Sequence, residues 1–197
     1  MEERKRRLEE LQKTAEELSL KQQEVSDLVE KKTRDFFAAN SNTNQAVVNL
    51  GSVQDTYNYA SSHPDISRYA IYITRLSRFR DRMFNRDLKL LDKDSSDSEV
   101  EIKRVNLVQQ RTENKVNLQS DLHQYLSNTV LGTHSAGILK AEMDASLIFS
   151  KCAKNSLIDS LKNEGEIKKE IKKNEENIMD LYANPSLEMP SYIEPED

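Results

Sequence analysis

Leu8, Leu11, Ala15, Leu18, Val25, Val29 and Phe36 recur through the first 37 residues at intervals of three, four or seven, and nearly everything between them is Glu, Lys, Arg or Gln. At 100° per residue these side chains fall within an arc of about 100°, the narrow apolar seam of a helix that packs on another helix. At about 1.5 Å per residue such a helix is about 55 Å long. A stripe this thin cannot enclose a core by itself, so the seam predicts a partner-binding surface. The covering helix can come from the same chain, from a second copy or from a different protein. Gln22 and Lys32 stand at seam positions, where polar residues commonly set register or oligomeric state at a cost in stability.

Leu, Ile, Val and Phe make up 47 of 197 residues, about 24%, only slightly above the level at which chains fail to fold. Helical spacing of those residues still predicts order, because a long helix need bury only a stripe. Four glycines, four prolines and no tryptophan leave little material for sheets or a dense globular centre. The expected class is all-α: an elongated helical bundle or coiled coil of four to five helices, with long N- and C-terminal helices and no sheet.

The pattern predicts one elongated helical domain over 1–183. Residues 1–39 form the coiled-coil helix, and Asn40-Ser-Asn-Thr-Asn44 reads as a stop and turn. A short helix over 46–60 follows, with Gly51 inside it as a weak point. Pro64 suits the first position of a basic amphipathic helix over 64–91, in which Ile66, Ile73, Leu76, Met83 and Leu90 continue an apolar stripe. A helix over 96–131 starts with Ser96 and Glu99 at capping-box spacing. A turn near Gly132 then precedes a long helix over 136–183. Residues 184–197, with three prolines, four acids and no base, read as a disordered acidic tail.

Chemistry is sparse. His63, His123 and His134 are the only histidines, and none has a second ligand at metal-binding spacing. Cys152 stands among small and apolar residues and reads as a buried, inert thiol. No glycine-rich phosphate loop exists. The expectation is a non-enzymatic protein without metal or cofactor. A single cysteine, no apolar run near the roughly 20 residues of a membrane span, and no apolar leader at the N-terminus point to the cytoplasm, with the nucleus or leaderless secretion as other addresses.

Two further surfaces rise above background. On a wheel of the helix over 64–91, Arg68, Arg75, Arg78, Arg82, Arg86 and Lys89 share an arc of about 80° that no acid enters. Such a stripe can follow phosphates or a row of carboxylates, although the simpler account is that it is solvated or pairs with the Glu-rich first helix of the same chain. Few aromatics interleave with these cations, which argues against single-stranded nucleic acid. In the tail, Leu187, Met189, Tyr192 and Ile193 are isolated apolar anchors of the kind a short docking motif uses. The leading expectation is a scaffold or adaptor subunit that acts by coiled-coil packing in a cytoplasmic multiprotein assembly, with other helical proteins or itself as partner. The alternatives are a peripheral membrane-binding helical dimer that uses the arginine stripe, and a bacterial secretion-system effector or chaperone.

Overall fold

The computed structural model describes residues 2–61, 64–91, 97–129 and 134–183, and every one of them except Asp97 is α-helical. Four helices follow in order: α1 (Glu2–Ser61), α2 (Pro64–Leu91), α3 (Ser98–Thr129) and α4 (His134–Ala183). The fold is an all-α helical bundle, with no strand among the described residues. The chain divides into two compact units, one made of Met1–Leu28 with Asn163–Asp197 and the other of Val29–Lys162.

Burial along α1 keeps a seven-residue period from residue 4 to residue 53. Residues 4, 8, 11, 15, 18, 22, 25, 29, 32, 36, 39, 43, 46, 50 and 53 are all buried or half-buried. Up to residue 28 these are the shielded positions, two per heptad, which suits one facing helix. From Val29 onward residues 33, 40, 44, 47 and 51 join them. The wider stripe matches a helix with two neighbours.

In the smaller unit the neighbour is the last part of α4, where residues 164, 167, 171, 174, 178 and 181 are shielded at the same period. Leu18 and Ile167 are buried there, Asn174 Nδ2 donates to the Leu11 carbonyl at 3.1 Å, and Arg4 donates to the Leu181 carbonyl. In the larger unit α1, α3 and α4 share two apolar clusters. One gathers Phe36, Val105, Leu157 and Leu161; the other gathers Leu50, Val116, Ala136 and Met143. A third cluster packs α2 on α3 through Ile73, Leu118, Leu122 and Leu126, with Tyr69 stacked against Tyr125 at 4.4 Å between ring centroids.

Between the first two clusters lies a polar layer. Thr43 Oγ1 donates to the carbonyls of Ala39 (3.0 Å) and Ser146 (2.9 Å); Asn44 Nδ2 reaches the Asn40 carbonyl, Asn40 Oδ1 and Thr112 Oγ1. Thr112 Oγ1 donates to Asn40 Oδ1 at 2.8 Å, and Ser150 Oγ to Gln109 Oε1 at 2.8 Å. This layer corrects the predicted stop at 40–44 and the separate helix over 46–60. The asparagines and threonine that favour a turn in isolation are bonded here within α1 and to α3 and α4. Their seam positions also keep the heptad phase, so α1 runs through without a break. Asn40 Nδ2 and Asn44 Oδ1 find no partner among the described residues, which favours a register-setting role for the layer over a stabilising one.

The expected Ser96 cap lies outside the described residues. Asp97 holds that position: its Oδ1 accepts the Glu99 amide at 3.1 Å, and its carbonyl accepts the Val100 and Glu101 amides. Gly51 sits inside α1, where an added Cβ would meet the Gln119 side chain at 3.7 Å, an ordinary van der Waals contact. Gly51→Ala is therefore expected to raise stability by about 0.5–1 kcal/mol in urea unfolding, because it narrows the unfolded ensemble without a clash.

Candidate interaction surfaces

The seam residues of the first helix face the chain's own α4 and α3. Phe36 is fully buried, Leu18 is buried, and Leu8, Leu11, Ala15, Val25 and Val29 are half-buried. The tail residues Leu187, Met189, Tyr192 and Ile193 lie outside the described residues.

A shallow open groove of 310 Å³ between the two seam helices is lined by Thr14, Glu17 and Lys21 of α1 with Glu170, Lys173 and Asn177 of α4. It contains neither histidine nor cysteine. No group of three metal-ligating side chains occurs among the described residues. His123 is half-buried in α3, where burial first and the charge of Lys140 second push its pKa below the ordinary value of 6.5, against the opposing pull of Asp144. Ser127 Oγ lies 3.5 Å from its Nε2. Cys152 corrects the expectation of a buried thiol: it is exposed on α4, beside the exposed Ile148 and Phe149.

The α2–α3 contact is fixed electrostatically. Asp81 accepts two bonds from Arg111 (3.0 and 3.3 Å) and faces Lys115 at 3.4 Å, while Arg80 donates to Asn114 Oδ1. Burial alone would push the Asp81 carboxyl up, but the Arg111 hydrogen bond and the charges of Lys115 and Arg111 outweigh it and hold the group below its ordinary 3.8. A carboxylate with a lowered folded pKa contributes stability that is complete above the unfolded value and lost as pH falls through the folded one. Asp81→Asn is expected to cost about 1–2 kcal/mol near pH 7, since it strands two half-buried cations. The difference from wild type should shrink once the pH falls below 3.8, and paired urea titrations at neutral and acid pH would measure it.

With its inner side fixed this way, α2 turns a second, different face outward. Arg68, Arg75, Arg78, Arg82, Arg86 and Lys89 are all exposed. Arg68 pairs with Asp65 at 3.7 Å and Arg86 with Asp87 at 3.5 Å. Arg75, Arg78, Arg82 and Lys89 have no ion pair among the described residues. Beside them runs an apolar stripe that sequence reasoning missed: Tyr72, Phe79, Met83 and Leu90 are 58, 61, 38 and 58% exposed. Spacing alone puts Met83 and Leu90 on the same stripe as Ile73 and Leu76, and the structure corrects this. An angular drift of about 100° over 17 residues, at 100° per residue, carries them off the α3-facing side. The 7-4-7 spacing of 72, 79, 83 and 90 is the signal that marks a separate stripe. Two exposed aromatics, Tyr72 and Phe79, border the cations without interleaving with them.

No family model, curated protein or solved structure matches this chain. Among the described residues, no helix is long and apolar enough to cross a membrane.

Proposed function

We propose that this protein is a non-enzymatic interaction module, a helical scaffold or adaptor whose working surface is the outer face of α2. The carrying observation is the exposed stripe of Tyr72, Phe79, Met83 and Leu90 on a helix that is already packed on α3 through a different side. Folding does not require those four side chains outside, and contiguous exposed apolar surface rimmed by charge is typical of interaction sites. The seam of α1 is a weaker candidate for an external partner, because α3 and α4 cover it. Catalysis has no support from the side chains in the groove.

A photo-crosslinking phenylalanine analogue placed at residue 79 in the source cells tests this reading, with the same analogue at exposed Phe149 of α4 as comparator. Adducts, whether protein or lipid, are expected from position 79. Adducts from 149 with none from 79 would move the working surface off α2 and defeat the proposal.

A further inference from the structure

We infer that the outer face of α2 binds the surface of an anionic lipid bilayer. The inference rests on the reading of α2 as the working surface and adds the identity of what covers it.

Charge is the first argument. Helix α2 carries seven cations and three acids, a net charge of +4 within a chain whose total is −5, so the other residues sum to −9. One of the three acids, Asp81, is used up on α3, and four of the cations are unpaired among the described residues. The complement of this face is a dense field of negative charge, as anionic headgroups provide.

The layout of the face is the second argument. At 100° per residue, Met83, Tyr72, Leu90 and Phe79 lie within about 40° of one another, and the six cations cover the next stretch on one side, so the whole face spans about 140°. The apolar stripe runs about 27 Å along the axis, from residue 72 to residue 90. A two-helix seam is narrower than this face. A bilayer can meet all of it: the apolar stripe enters the headgroup–acyl boundary, tyrosine and phenylalanine rings sit at the level they favour, and the long arginines reach out to phosphates with bidentate bonds. Ile71, 51% exposed among the cations, adds apolar surface where a solvated basic face would have none. Stacked bases would use the two rings but not Met83, Leu90 or Ile71.

Rigidity is the third. The Asp81–Arg111–Lys115 cluster and the Ile73–Leu122 packing hold α2 as a preformed helix, so little ordering cost attends binding.

The chain contains no tryptophan, so Phe79→Trp creates a unique fluorescent reporter at the centre of the stripe. With the full chain and vesicles made of equal phosphatidylcholine and phosphatidylserine, its emission is expected to shift to the blue. Pure phosphatidylcholine vesicles should leave it unchanged, as should Phe149→Trp on α4 with either vesicle. Co-sedimentation of wild type should weaken steeply between about 0.1 and 1 M salt, where the Debye length falls from about 10 to 3 Å. Reversing Arg75, Arg78 and Arg82 to Glu should lower binding by more than about a hundredfold, and Phe79→Ser about tenfold. Unchanged circular dichroism of these surface variants would show that folding is intact. No blue shift with anionic vesicles, or salt-sensitive binding that Phe79→Ser leaves untouched, overturns the lipid assignment. If residue 79 still crosslinks a protein in cells and the charge reversals abolish that adduct, the occupant is an acidic protein face and only the lipid step is lost. If position 79 captures nothing either, the reading of α2 as the working surface falls with it.

Discussion

Phe36→Ala is expected to lower the unfolding free energy by about 3–5 kcal/mol, while Phe37→Ala next to it changes it by less than about 1 kcal/mol. Phe36 is fully buried among Val105, Leu157 and Leu161, with Val29, Ile102 and Ala153 around them, so truncation removes contacts on three helices at once. Phe37 is 46% exposed, and its ring touches Phe36 at 5.3 Å between centroids. Domain stabilities are about 5–15 kcal/mol, so losing Phe36 removes a large share of the total. Urea titration of both variants measures the contrast. Equal losses would mean that the two rings are shielded alike and that the seam does not select between them. The same measurement at Met143, which is fully buried in the next apolar cluster, should give a loss of about 2–5 kcal/mol.

That contrast was legible in the chain, because the interval from Val29 to Phe36 is one heptad and Phe37 falls out of phase. The same rule located Leu18. The rule fails where polarity and period disagree. Asn40, Thr43 and Asn44 look like a turn because their short side chains compete for backbone hydrogen bonds locally. Their partners, Thr112 and Ser146, stand 68 to 103 positions further along, beyond any local window. Helix α2 fails differently. Its 28 residues carry two apolar stripes, one toward α3 and one toward solvent, and a wheel drawn without knowing the neighbour merges them. The arginine stripe was visible because charge sign needs no neighbour to be read. The exposure of Phe79 and Cys152 depends on which side α3 and the other helices occupy, and one sequence does not contain that choice.

Asn42→Pro decides the continuity of α1. Asn42 is exposed, so its side chain contributes almost nothing to packing, and any effect of proline there acts through the backbone. In a continuous helix the amide of residue 42 bonds the carbonyl of residue 38, and proline both removes that bond and clashes with that carbonyl, at a cost of about 3 kcal/mol or more. The loss extends past one bond. A kink at 42 would swing Thr43 and Asn44 away from Ser146 and Thr112, leaving Asn40 and Thr112 buried with fewer partners, and would shift Leu50 and Val53 out of phase with Met143 and Leu147. Loss of cooperative unfolding, seen as a lower midpoint and a shallower urea transition, is the expected result. Asn42→Ala keeps the amide and replaces a residue that favours caps and turns with the best helix former, so it should stabilise by a few tenths of a kcal/mol. Were residues 40–44 a turn, proline at 42 would be tolerated and alanine would offer nothing. Opposite signs for the two substitutions at one exposed position are thus the signature of a helix held through a polar layer by the helices beside it.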